Sequence, residues 1–197
     1  MAKSASNQVW QLKITLNGIE PPILRRIQVA KCTLAELHDH IQLAMGWQNA
    51  HLYQFTINGV LYSDPTFSDE VYPEIRDARV VKLSKFFNEG DKPSSFLYEY
   101  DLGDGWQHEV LFEGCLQPET GKRYPLCVDG ARACPPEDVG GVHGFAQYLE
   151  AIADPKHGRH KELLAWSGPF NPEAFDAKAV TRRMRQGFPE PRLEDYI

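Results

Sequence analysis

Three groups of residues have types and spacings from which chemistry can be built. In Tyr100-Asp101-Leu102-Gly103-Asp104-Gly105-Trp106-Gln107-His108, two carboxylates and an imidazole share one short stretch. Such a set can hold a cation or pass a proton, because carboxylates supply hard oxygens and an imidazole titrates near neutral pH. Farther on, Pro135-Pro136-Glu137-Asp138-Val139-Gly140-Gly141 sets paired carboxylates before two glycines. Carboxylates suit a hard divalent cation, and glycine lets a ligand approach the backbone. This segment has no lysine, so it is not a phosphate-binding P-loop. Cys127 and Cys134, with Cys115 nearby, offer thiolates that zinc would take together with His157 and His160. Their spacing is wider than is usual for paired zinc cysteines.

Each group also has a plain structural use. Turn aspartates bond their own backbone, acids before a helix offset its N-terminal dipole, and free cysteines pack as small apolar residues. The catalytic candidates are Asp101, Asp104, His108, Glu137 and Asp138. The metal-ligand candidates are Cys127, Cys134, His157 and His160, and a divalent metal is the cofactor these residues would imply.

The elements that must position these residues are legible in the apolar pattern. Trp10, Leu12, Ile14 and Leu16 alternate with Gln11, Lys13 and Thr15, the period of a half-buried strand. Asn17-Gly18 and Pro21-Pro22 precede a second strand over about Ile23 to Val29. Thr33-Leu34-Ala35-Glu36 is a capping-box pattern, and Leu34, Leu37, Ile41, Ala44 and Met45 form a helical stripe closed by Gly46. His38 borders that stripe. Asn58-Gly59 between Leu52–Ile57 and Val60–Tyr62 predicts a hairpin. A loop with Pro65 and Pro73 then leads to a short strand over Val80 to Ser84. This order predicts a β-grasp-like mixed sheet over Val9 to Ser84 with one helix packed on a face.

Phe96, Tyr98, Tyr100 and Leu102, then Trp106, His108, Val110 and Phe112, predict an added β-hairpin. A three-residue loop at Gly103-Asp104-Gly105 would pair Tyr100 with His108. From Cys115 to Gly144 the prolines and glycines predict loop. Helices are expected over Phe145 to Ala153, about His160 to Trp166, and from Asn171 as N-cap to about Gln186. The expected class is α+β in one domain spanning 1–197, with a sheet-rich half at 9–115 and a loop and helical half at 116–197.

Hydrophobic residues make up 42% of the chain, enough for a core without staples. No apolar run is long enough for a membrane helix, and MAKSASNQ carries no signal-peptide segment. With four cysteines and no export signal, the expectation is a cytoplasmic protein with free thiols. The formal net charge of −6 disfavours nucleic acid as a partner, since phosphate contacts need clustered Lys and Arg. Arg182, Arg183 and Arg185 are the local exception. The expected partner is protein.

The blocks PPILRRIQV, TLAELHDHIQLAMGWQNAHLYQF, FLYEYDLGDGWQHEVLFE, YPLCVDGARACPPEDVGGVHGF and DPKHGRHKELLAW together resemble the Ri-plasmid ORF-three-like family. The resemblance spans roughly Val9 to Gln186. It implies a plasmid or mobile-element setting, where similar proteins travel under the label TnpR-like, and it brings no established activity. The label suggests a resolvase, yet no serine here sits among arginines and no separate basic domain is present. Two functions follow from the residues: a non-catalytic binding or adaptor module, or a metal-dependent hydrolase or nuclease-like enzyme built on the carboxylate and histidine patch.

Overall fold

A computed structural model describes residues 8–67 and 75–189. The expectations for the N-terminal MAKSASN segment and for Pro73 lie outside those residues. The elements in chain order are β1 (Val9–Leu16), β2 (Leu24–Val29), α1 (Leu34–Met45), β3 (Tyr53–Ile57), β4 (Val60–Ser63), β5 (Arg76–Asp77), β6 (Ser94–Tyr100), β7 (Trp106–Leu116), β8 (Leu126–Ala131), α2 (Gly141–Ala153), α3 (His160–Ser167) and α4 (Ala177–Gln186). The class is α+β. Among the described residues the strands form one sheet in the order β5-β4-β3-β6-β7-β1-β2-β8. Every neighbouring pair is antiparallel except β4 with β5.

This order differs from the expected one. Strands β1 and β3 do not pair, so residues 9–84 do not close a sheet of their own. The β6–β7 hairpin lies between them and makes the centre of the sheet. Its inward face is aromatic: Tyr98, Tyr100, Trp106 and Phe112 are fully buried.

The hairpin register also departs from expectation. Tyr100 faces Trp106 and Tyr98 faces His108. Asp101 causes the shift. It takes a left-handed backbone at φ 53°, its carboxylate accepts from the N–H groups of Gly103 and Asp104, and its carbonyl accepts from Gly105 N at 2.7 Å. The turn therefore starts at Asp101, and the apolar faces of both strands still match.

Helix α1 lies against the sheet through Leu34, Leu37, Ile41, Ala44 and Met45. Its capping box is formed in both directions, Glu36 N to Thr33 Oγ1 at 3.2 Å and Thr33 N to the Glu36 carboxylate at 2.7 Å. Gly46 closes it at φ 114°. The last turn of α1 carries no basic residue of its own. Arginines from other elements serve instead: Arg25 of β2 donates to Ala44 O, and Arg183 of α4 donates to Leu43 O and Ala44 O.

Other departures have local causes. Val80 to Ser84 is no strand. Its carbonyls and amides bond the start of α1, with Leu34 N to Val81 O and Leu83 N to Cys32 O, and a 3-10 turn follows at Leu83–Lys85. The stretch expected as loop from Cys115 contains the end of β7 and all of β8, an edge strand paired to β2. Helix α2 begins at Gly141, earlier than expected. Helix α4 begins at Ala177 with Asp176 as its N-cap. Asn171 makes only a turn, accepting from Glu173 N and Ala174 N.

Candidate metal centre

The site forms where three loops meet at one rim of the sheet. The turn after α1 delivers His51. The hairpin loop delivers Asp101 and is pinned beside that turn by Asp101 N to Leu52 O at 2.8 Å. The segment before α2 delivers Asp138, held at a left-handed φ of 55°. Asp104 ties the last two loops together by accepting from Gly140 N at 3.0 Å. The approach is close enough to exclude a side chain: a Cβ on Gly141 would stand 2.4 Å from the Asp104 carbonyl oxygen. Here a glycine is required for contact as well as for its φ of 66°.

His51 Nε2 lies 2.9 Å from an Asp138 oxygen and 3.6 Å from Oδ2 of Asp101. One ligand atom from each of the three residues falls within 4.8 Å of the other two. Among the described residues no other trio of His, Cys, Asp or Glu converges in this way. Asp101 is 7% exposed, Asp138 is exposed and His51 lies between them. Although Asp138 is near, the buried Nε2 of His51 makes no hydrogen bond of proper geometry. An N–H on that nitrogen would not point at the oxygen. In the tautomer protonated at Nδ1, Nε2 would set a lone pair beside carboxylate oxygens, an arrangement a cation would bridge.

Of the five catalytic candidates, then, Asp101 and Asp138 meet, and Asp104 and Glu137 stand beside them in supporting roles. Glu137 accepts from Gln48 N at 2.8 Å and from the Tyr100 hydroxyl at 3.0 Å, fastening its segment to α1's exit and to β6. His108 is elsewhere. It is buried in the core, edge-on to Trp47 at 5.3 Å and tilted against Tyr98. Burial pulls its pKa down to about 4, and the carbonyls of Tyr98 and Trp106 beside it work the other way.

The four metal-ligand candidates do not assemble. Cys127 is buried in β8, its thiol donating to Asp129 O, and burial pushes its pKa up to about 11. Burial raises the Cys134 thiol as well. His157 Nδ1 accepts from Arg159 N in the turn before α3, and His160 Nδ1 bonds Ala151 O. Each imidazole has one nitrogen on local backbone, and among the described residues these four do not gather within reach of one ion.

His51 was not among the candidates. It sits in the polar turn Gln48-Asn49-Ala50-His51 with no spacing to mark it, and its partners come from distant segments. Two clefts open beside the trio. One of about 380 Å³ is lined by Asp138, Gln147, Tyr148, Arg159, Glu162 and Trp166. Another of about 410 Å³ is lined by His38, Asp39, Asn49, His51, Asp64 and Arg79. Leu52, Leu102 and Trp166 give this region exposed apolar surface.

Fold and site together define an α+β protein with a histidine and two aspartates gathered at the rim of an open sheet. The chain belongs to the plasmid pRiA4b ORF-3-like family, whose model matches residues 8–179. It is 42% identical over 163 residues, 81% of each chain, to the uncharacterized protein y4hQ of Sinorhizobium fredii. Its fold is similar to that of a crystal structure, the protein of unknown function MM3350 from Methanosarcina mazei. The TM-score is 0.77 at 37% identity, covering 87% of this chain and 97% of that one.

Proposed function

We propose that the protein binds a divalent cation through His51, Asp101 and Asp138 and acts on its ligand as a metal-dependent hydrolase. The observation that carries this is the convergence of three ligand atoms with an unsatisfied imidazole nitrogen among them. Three protein ligands leave coordination positions open, as in catalytic rather than structural metal sites. A divalent ion held there would supply an acidified water as nucleophile. The clefts beside Asp138 and His51 offer room for a substrate on either side. One carboxylate oxygen of Asp101 is fixed by Gly103 and Asp104 N–H, which orients the other toward His51.

The test is calorimetric titration of metal-stripped protein with Mn²⁺ and Zn²⁺, followed by a screen of chromogenic phosphate and carboxylate esters. His51→Ala and Asp138→Asn should each weaken binding at least tenfold, about 1.4 kcal/mol, while His157→Ala should leave it unchanged. Absence of millimolar or tighter binding by the folded wild type would sink the proposal and leave the trio as an ion pair.

A second reading rests on the exposed Leu52, Leu102 and Trp166, which suit a protein-binding surface. Metal binding with no turnover on any ester would favour that adaptor role. A plasmid or mobile-element setting is the biological side of either reading, supported by the plasmid in the family's description. Direct nucleic-acid binding through Arg182, Arg183 and Arg185 has little support, since the formal net charge is −6 and Arg185 donates to the backbone carbonyls of Pro125 and Arg123. Among the described residues no helix is long and apolar enough to cross a membrane.

A further inference from the structure

Away from the His51 site, Arg25 and Arg183 meet in a cleft of about 630 Å³ between the end of α1, the Cys134-Pro135-Pro136 segment and α4. Arg25 is 3% exposed. Four other arginines, Arg26, Arg79, Arg132 and Arg159, each face a carboxylate within 3.0 Å. Among the described residues Arg25 and Arg183 face none. The ionisable groups acting on Arg25 are the thiols of Cys134 and Cys127 and the guanidinium of Arg183, and the same two thiols act on Arg183. Asp176 also lines the cleft, but its carboxylate caps α4 at Lys178 N and Ala179 N.

Two guanidinium groups are thus packed together, one of them almost wholly out of water. Their local counter-charge is the C-terminal end of α1, where both donate to main-chain oxygens. A helix end supplies roughly half an elementary charge, against two full positive charges. A surplus of positive charge remains in a poorly hydrated place. Donors remain too: among the described residues Nη2 of Arg25 and Nη1 of Arg183 have no hydrogen-bond partner. One free terminal nitrogen from each guanidinium can donate to different oxygens of a single phosphate, a charged acceptor with several oxygens. The walls add a second requirement. Phe175 lies under the Arg25 guanidinium at 4.9 Å, and Phe170, Pro135 and Pro136 continue an apolar lining. The cleft is far larger than an inorganic ion needs.

We propose that this cleft binds the phosphate group of a phosphorylated small molecule, with Arg25 and Arg183 on the phosphate and the Phe170–Phe175 side holding a flat apolar body. The proposal is independent of the cation site.

The test uses ¹H–¹⁵N NMR on the full chain in EDTA, so that metal-bound phosphate plays no part. Inorganic phosphate and phenyl phosphate are titrated at ionic strength matched with chloride. The amides of Gly46, Ala133 and Cys134 should shift and saturate, with phenyl phosphate binding at least fivefold tighter than phosphate. Arg183→Gln should weaken both at least tenfold. Amides that stay still in the wild type, or that move equally with chloride alone, overturn the site. Equal affinity for the two probes overturns the apolar subsite. Should Arg183→Gln lose its dispersed spectrum, Arg183→Lys takes its place, since it keeps the charge and loses the fork; unweakened binding in either folded variant overturns the role of Arg183.

Discussion

At the scale of single residues, three of the histidines have three different fates. His51 reaches the rim and meets two carboxylates. His38 is buried in α1, with Nε2 on Asn49 Oδ1 at 2.7 Å and Nδ1 on the Tyr98 hydroxyl at 2.8 Å. Since the Asn49 oxygen can only accept, Nε2 carries the proton and Nδ1 accepts from Tyr98, a fully satisfied neutral ring. His108 is the opposite case, a buried ring with neither nitrogen in hydrogen-bond geometry. An unpaired buried polar group costs stability, so an apolar residue of similar size should be tolerated. His108→Leu should change unfolding free energy at pH 8 by no more than about 1 kcal/mol, with a gain as the better outcome. Chemical denaturation checks this. A loss above about 3 kcal/mol would mean the ring makes a bond that the geometry denies.

At the scale of elements, the hairpin and α1 carry the largest and the most local terms. Trp106 is fully buried at the sheet centre, with Trp47 packed at 5.9 Å. Trp106→Ala should cost about 3–5 kcal/mol through lost burial and the cavity left behind. Thr33→Ala removes only the capping box and should cost about 1 kcal/mol. Equal losses in thermal unfolding would contradict this ordering. These elements were legible because their signals are local. Alternation marked β1, Thr33 and Glu36 marked the start of α1, and Asn58-Gly59 marked the β3–β4 hairpin. Strand β8 was not legible, because only Cys127 of Leu126–Ala131 is buried and an edge strand shows little alternation. The start of α4 misled because Asn171-Pro172 mimics a cap while Asp176 makes one. The site was half legible. Asp101 and Asp138 stand in marked loops, whereas His51 is brought to them only by the folding of distant segments.

At the scale of the whole molecule, the buried histidines set how the fold meets acid. Burial pulls His38 and His108 from an ordinary value of 6.5 down to about 4. Above pH 6.5 both rings are neutral whether the chain is folded or not, and they leave stability independent of pH. As pH falls below 6.5, the unfolded chain takes up protons that the folded chain refuses until near pH 4. The unfolded state binds more protons across that window, so stability falls with falling pH. Each ring contributes on the order of 3 kcal/mol to this loss, and two such losses rival the ~5–15 kcal/mol total of an ordinary domain. Asp39 opposes them. Burial, with help from Glu36, raises its carboxyl to about 6, so the folded state holds that proton more tightly, and protonation below pH 6 favours folding. Asp39 is only half-buried, so water screens its share, and the histidines prevail. Urea unfolding should therefore show a plateau between about pH 7 and 8, below the range where free thiols titrate, and a steep fall between pH 6.5 and 4. His108→Leu should flatten that fall in part, with His38, and His40, which burial also lowers, left to supply the remainder. A wild-type profile that stays level down to pH 4.5 would show that both rings take up protons within the fold, and the assignment of His38 and His108 as neutral core residues would have to be abandoned.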